Sequence, residues 1–169
     1  ISGLPPGGSL QPEKAYSFWL GQAQYAQQFG TSGTQLVLRG SIQRSADLLL
    51  PLDRMSIGGV YTVRGFRENQ LITDNGSILN LELDFPLMRN SGKELNISLI
   101  PFHDWGRGRN QGAASTTLSS AGIATRLRWQ GFALDLAIAR RLKHPDSLTR
   151  AGNTLQDHGI HCQLTYNFF

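Results

Sequence analysis

From Ile160 onward every second residue is apolar: Ile160, Cys162, Leu164, Tyr166 and Phe168 alternate with His161, Gln163, Thr165 and Asn167. Successive side chains of a β-strand point to opposite faces, so such a segment makes one apolar and one polar surface. The pattern recurs along the chain. Phe132, Leu134, Leu136 and Ile138 oppose Ala133, Asp135, Ala137 and Ala139, and Ile123, Leu127 and Trp129 oppose Ala124, Arg126 and Arg128. Leu95, Ile97 and Leu99 oppose Asn96 and Ser98, and Leu79, Leu81, Leu83 and Phe85 oppose Asn80, Glu82 and Asp84. Leu36, Leu38 and Ile42 oppose Gln35, Arg39, Ser41 and Gln43, while a less regular strand over Tyr16 to Gln27 has no assignable faces. Turn-forming residues at Asn75-Gly76, Arg89-Asn90-Ser91-Gly92, Gln130-Gly131 and Ala151-Gly152-Asn153 mark breaks between strands. The chain is therefore expected to be all-β, with about seven antiparallel strands. One connection, from about Asp47 to Asn75, is far longer than the rest, and loops of that length are usually functional.

What the polar face meets decides the architecture. In a soluble sandwich the apolar face is the core. In a membrane barrel it faces lipid, and the polar face lines a lumen. Three features favour the barrel. The strands reach about 10 residues, the length a tilted span needs. The apolar face is almost free of mid-strand charge, whereas Arg39, Glu82, Asp84, Asp104, Arg126, Arg128 and Asp135 share the other face. Trp105, Trp129, Phe132, Tyr166 and Phe168 cluster near strand ends, where interfacial girdles sit.

Composition removes other classes. With 17% charged residues disorder is excluded, since disordered chains are rich in charge. The single cysteine excludes an internal disulfide framework and a Cys-based zinc knuckle. A mean hydropathy of −0.24 and no apolar run near 18 residues exclude a transmembrane helix but not membrane strands. At 169 residues the chain has the length of one ordinary domain. A start at Ile1 without a leader reads as a fragment or processed chain.

The long loop carries Ser56-Ile57-Gly58-Gly59-Val60-Tyr61-Thr62-Val63-Arg64-Gly65-Phe66-Arg67-Glu68. The paired glycines open backbone conformations that other residues resist. Arg64-Gly65-Phe66 sets a permanently charged fork beside a flexible hinge and an apolar anchor. Further on, Phe102 and Asp104 fall on the polar face of a strand that ends Pro101-Phe102-His103-Asp104-Trp105-Gly106. A poorly solvated lone carboxylate is costly, so Asp104 requires a cation, and Arg64 is the natural candidate.

Ile57-Gly58-Gly59, then Val63-Arg64-Gly65-Phe66, then Asp74-x-Gly76 resemble the outer-membrane transporters of two-partner secretion, the haemolysin activator (ShlB/FhaC-like) family. The likeness extends to Phe102-x-Asp104-x-Gly106, 36 residues after Phe66, and covers roughly Leu20 to Phe169. It implies periplasmic polypeptide-transport-associated domains followed by a barrel of about sixteen strands, an even number as in bacterial barrels. It also implies that the loop folds into the lumen and that Arg64 pairs with Asp104. On this mapping residues 1–169 are a partial outer-membrane barrel, its last seven strands, with the loop of about 47–75 lumenal. Val63, Arg64, Gly65, Phe66 and Asp104 would form a conformational latch, with Phe102, Asp104 and Gly106 as the second barrel motif. Arg39, Glu82, Asp84, Arg126, Arg128 and Asp135 would line the pore. Ile160, Cys162, Leu164, Tyr166, Phe168 and the final Phe169 correspond to the aromatic-ended strand read by the barrel-assembly machinery, although the alternation ends in phase on Phe168.

The implied function is a passive pore in the outer membrane of a Gram-negative bacterium. It would export a haemolysin- or adhesin-like exoprotein, contacting outer-membrane lipid and needing no cofactor. Two alternatives are a barrel-assembly insertase of the same superfamily and, more remotely, a soluble β-barrel binding module. No enzyme site emerges. His161 and Cys162 point apart on one strand, against a metal cluster with His158, and His103 and Asp104 likewise cannot form a dyad. Gly106 to Gly112 is glycine-rich, but no helix follows it to bind phosphate. Although the pI is near 9.6, basic residues are interleaved with acidic ones, which argues against nucleic acid.

Overall fold

The computed structural model describes residues 15–90, 94–144 and 154–168. Seven long strands form one antiparallel sheet: β1 (Trp19–Phe29), β2 (Thr34–Arg44), β5 (Asn75–Asn90), β6 (Leu95–Arg109), β7 (Thr116–Trp129), β8 (Phe132–Lys143) and β9 (Ile160–Tyr166). They lie side by side in chain order, β1-β2-β5-β6-β7-β8-β9. Each neighbour is reached by an up-and-down connection, the simplest route for antiparallel strands. The sheet does not close. Among the described residues the outer edges of β1 and β9 have no strand partner.

Cross-strand register fixes the faces, because residues directly opposite one another share a side of the sheet. One row joins Arg39, Asn80, Asp104 and Ser120, and the next joins Val37, Glu82, Phe102, Gly122 and Ala139. These residues lie on the face covered by the long loop. The opposite face is bare among the described residues. It presents Leu79, Leu81, Ile123, Leu136, Ile138 and Leu164 to the surroundings, with Ile138 and Leu164 each 66% exposed. In a water-filled setting so large a continuous apolar surface would drive association, and it suits contact with lipid. The register also settles β1: Trp19, Tyr25 and Phe29 pair with Arg44, Leu38 and Thr34 and therefore lie on the bare face. Trp129, Phe132, Tyr166 and Phe168 make a chain of ring contacts on this face, with centroids 6.3, 4.4 and 4.5 Å apart. They sit at the end where β7 turns tightly into β8 through Gln130-Gly131.

Several sequence-based boundaries shift. Three strands are longer than expected, at 16, 15 and 14 residues for β5, β6 and β7. Asn75-Gly76 is not a turn but the start of β5. Gly76 stands there because a Cβ would lie 2.6 Å from Met55 Sδ. Arg89 and Asn90 also remain in β5, and a bulge between Pro86 and Met88 shifts the register within it. The first strand is Trp19–Phe29 rather than Tyr16 to Gln27, and β6 continues past Gly106 to Arg109. Breaks expected at 91–92 and 151–153 lie outside the described residues. The loop has structure of its own: β3 (Met55–Ile57) pairs with β4 (Leu71–Thr73) in a two-stranded ribbon.

Candidate functional site

The loop is fastened first at its base. Asp74, fully buried, accepts a bond from the Leu49 amide at 3.2 Å and one from the Gln111 amide at 3.1 Å, and Arg54 Nε lies 3.0 Å from it. Both arms of the loop and the β6–β7 connection thus converge on one carboxylate. From the ribbon the chain turns through Gly58 and Gly59, whose φ values of 112° and 108° exclude ordinary side chains. Thr62 Oγ1 accepts from the Gly58 amide at 2.8 Å, and Glu68 Oε1 accepts from the Val60 amide at 2.8 Å. These local bonds shape the tip that presents Arg64.

Arg64 meets two carboxylates on adjacent strands. Its Nε and Nη2 donate to Asp104 Oδ2 and Oδ1 at 2.7 and 2.8 Å, a bidentate fork, while Nη1 lies 2.8 Å from Glu82 Oε1. The Arg64 amide also donates to Asp104 Oδ2 at 3.0 Å, and Asn80 Nδ2 donates to Oδ1 at 2.8 Å. A carboxylate has about four acceptor positions, and all are filled for Asp104, which has no exposed surface. The guanidinium also stacks over the Phe102 ring, 3.5 Å from its centroid, adding a cation–π contact. Burial disfavours the charge on Arg64, but Asp104 and Glu82 outweigh it, so its pKa lies above the ordinary guanidinium value. The group stays charged.

Around this centre the tip reaches further strands. The Gly65 amide donates to His161 Nε2 on β9 at 2.8 Å, and Arg141 on β8 donates to the Gly65 carbonyl at 2.5 Å. Tyr61 donates to Gln163 on β9 at 2.8 Å. Arg67 pairs bidentately with Asp157, in the 3-10 turn before β9, at 2.7 Å to each oxygen. The Arg67 guanidinium, with bonds from Thr154, holds the Asp157 carboxyl well below the usual carboxylate range. Beneath the tip Val63 and Phe66 pack with Met55, Ile57, Ile78 and Leu118 in one buried cluster.

Gly106 makes room for that cluster. A Cβ there would lie 2.5 Å from Ile57 Cγ2 and 2.8 Å from Val63 Cγ2, and at Gly108 it would meet Thr73 Cγ2 at 2.4 Å. Gly106→Val is therefore expected to weaken loop docking by about 1–3 kcal/mol, as overpacking does, while leaving the charged fork chemically intact. Limited proteolysis of the loop in the folded barrel reads this as faster cleavage after Arg64 and Arg67.

All six residues expected to line the pore lie on the loop-covered face, in two groups. Arg39 and Arg64 share Glu82, with Arg39 at 3.1 Å, so Glu82 is largely covered by its partners. Arg126 bridges Asp84 at 3.3 Å and Asp135 at 3.0 Å, and Arg128 lies 3.1 Å from Asp135. A cavity of about 720 Å³ beside the loop tip is bordered by both groups and by Tyr61. Of the C-terminal residues, Ile160, Cys162, Leu164 and Tyr166 pair with Ile138, Leu136, Leu134 and Phe132 on the bare face. Phe169 lies outside the described residues. Sequence reasoning did not single out Asp74, Asn80, Arg141 or Asp157 as loop anchors, and it weighed His161 only as a metal ligand, which it set aside. The alternate glycines 106 and 108 were the available signal, since glycine inside a strand marks a close approach.

Comparisons with known proteins agree with this geometry. A profile of the family described as "Haemolysin secretion/activation protein ShlB/FhaC/HecB" matches residues 3–129. Among solved structures, CdiB from Escherichia coli superposes with a TM-score of 0.75 at 19% identity, over 88% of this chain and 27% of that one. CdiB from Acinetobacter baumannii superposes with a TM-score of 0.65 at 25% identity, over 78% of this chain and 25% of that one. No curated protein is a significant match. The chain thus spans about a quarter of the length of the solved structures it matches, and its open sheet is part of a larger antiparallel barrel. Members of the matched family are two-partner secretion transporters of the Gram-negative outer membrane, and transport rather than catalysis is their activity. By its sequence match and its fold, this chain belongs to the haemolysin secretion/activation ShlB/FhaC/HecB family.

Proposed function

We propose that this chain is the barrel segment of an outer-membrane pore that exports a large partner exoprotein of haemolysin or adhesin type. The observation that carries the reading is the buried fork between Arg64 on the loop and Asp104 on β6. Burying two ions is expensive, and a chain that needed only a stable wall could use apolar residues instead. A charged, fully hydrogen-bonded contact between a loop and a wall suits a part that must seat in one position and also leave it. Arg64 and Asp104 act as the latch, Gly65 and Phe66 shape the tip, and Phe102 and Gly106 provide its seat.

In this mechanism the tight turn at 130–131 faces the periplasm and the long loops face outward, as in bacterial barrels generally. The bare face contacts lipid, and the aromatic-ended β9 is what the assembly machinery recognises. An unfolded partner enters from the periplasm and displaces the loop tip. It then passes along the face bearing Arg39, Glu82, Asp84, Arg126, Arg128 and Asp135. Charges of both signs on that face keep the path wet without binding one sequence tightly. The partner's folding outside supplies the free energy, and no nucleotide takes part.

The test is Arg64→Ala in the full-length protein. Export of the partner, followed by immunoblot of the culture medium, is expected to fall. Barrel insertion, followed by heat-modifiable mobility of the outer-membrane fraction, is expected to persist. Undiminished export by that variant would remove the latch from the mechanism.

A further inference from the structure

The bare face is apolar along most of its height but turns basic at the end where the long loops emerge. Arg44 on β2 and Arg107 and Arg109 on β6 enclose a pocket of about 200 Å³, together with Asn75, Ser77 and Ser115. Register sets all three arginines on the bare face, in phase with Ile42 and Trp105. None of them pairs with a carboxylate among the described residues. The strand carboxylates Glu82, Asp84, Asp104 and Asp135 are all on the opposite face, so among the described residues no strand carboxylate neutralises the charge on this side.

The pocket is partly preorganised. Arg44 Nη1 is held by the carbonyls of Gln43 and Gly76, each at 2.9 Å, and Arg107 Nη2 donates to Ser115 at 2.8 Å. The Arg109 guanidinium makes no bond among the described residues. Asn75 contributes an independent sign. Its Oδ1 accepts from the Ser45 amide, but its Nδ2 is buried without an acceptor among the described residues. Buried donors are nearly always satisfied, so this amide is open to an acceptor that a bound headgroup brings once the side chain turns toward the pocket it lines.

We propose that this pocket binds the phosphate monoester of a lipid headgroup. The inference rests on the reading of the bare face as the lipid-facing side of an outer-membrane barrel. Arginine forks match phosphate oxygens bidentately, and three of them suit a dianion better than a single carboxylate. The height is that of headgroups, because Trp105 lies two residues along β6 on the same face and tryptophan marks the interface. Toward the middle of the sheet the same face continues into Leu79 and Ile42, which can hold acyl chains against it. Arg140 and Lys143 carry the positive band on to β8. At this size the pocket fits a headgroup fragment rather than a whole small-molecule ligand, whose sites are larger.

The experiment uses the full-length protein in detergent, titrated with lipid A, which bears phosphate monoesters, and read by native mass spectrometry. Lipid A is expected to be retained, with its dephosphorylated form bound about tenfold more weakly. A charged hydrogen bond contributes roughly a factor of ten or more, so Arg44→Gln/Arg107→Gln/Arg109→Gln is expected to weaken retention about a hundredfold. Arg109→Gln alone removes a side chain with no bond among the described residues and is expected to weaken it about tenfold without disturbing the fold. Equal retention of the two lipid forms by the wild type, or undiminished retention by Arg109→Gln, overturns the proposal. Displacement of lipid A by equimolar inorganic phosphate also overturns it, in favour of a free-anion site. A protein that exports its partner yet fails to discriminate the two lipids loses this pocket and keeps the export reading. One that fractionates away from the outer membrane loses both.

Discussion

In Asp104→Ala the loop tip is expected to come away from the barrel wall, with docking weakened by about 3–5 kcal/mol, the usual effect of breaking a buried pair. Four hydrogen bonds converge on this carboxylate, from the Arg64 amide, Arg64 Nε and Nη2, and Asn80. Removing it leaves a buried guanidinium with Glu82 alone, and Glu82 is already shared with Arg39. At roughly tenfold per 1.4 kcal/mol, the fraction of undocked loops should rise by about two to three and a half orders of magnitude. Amide hydrogen exchange over residues 58–67 reads that fraction directly. Arg64→Ala/Asp104→Ala is expected to be less harmful than the two single effects added together, because no unpaired charge remains at Asp104. Loop amides as protected in Asp104→Ala as in the wild type would show that the fork does not hold the tip.

Phe66→Ala is expected to loosen the same loop by about 3–5 kcal/mol through loss of packing. Phe66 is 1% exposed and belongs to the cluster that joins the loop residues Met55, Ile57 and Val63 to Ile78 of β5 and Leu118 of β7. It also lies under the Arg141 guanidinium, 5.1 Å away, so its loss frees one of the two side chains that hold Gly65. Phe66→Leu keeps most of the volume and is expected to recover most of the docking, leaving a deficit of about 1.5 kcal/mol or less. Asp104→Asn, by contrast, keeps the shape but loses the charge and should recover little. If Phe66→Leu exchanges as fast as Phe66→Ala, volume is not what matters at this position.

The seven long strands were legible because a sheet with one apolar and one polar face writes its period directly into the chain. Leu79 to Phe85 and Phe132 to Ile138 needed only alternation to be read. β1 was not readable alone, since Gln22, Gln24, Gln27 and Gln28 stand on both of its faces, and only pairing with β2 separates them. The ribbon of β3 and β4 was hidden for a related reason: three residues per strand are too few to show a period. Asn75-Gly76 misled because its glycine answers a packing demand from Met55 rather than a turn. At the site, Arg64 and Asp104 could be matched because an enclosed carboxylate demands a cation. His161, Arg141 and Asp157 carry no such demand in the sequence, and their roles come from a loop that returns across the sheet from 76 to 96 residues earlier.

The docked tip touches β5 and β6 at one side and β8 and β9 at the other, through Asn80, Glu82, Asp104, Arg141, His161 and Gln163. Strands up to four places apart in the sheet are thereby tied to one short segment, like a chord drawn across an arc. The span of that segment sets how far the two ends of the arc can spread, so the loop is a gauge of the wall's curvature as well as an obstacle within it. On the proposed export mechanism, a loop that left would give its volume to the passage, and the arc would lose the tie that held its width.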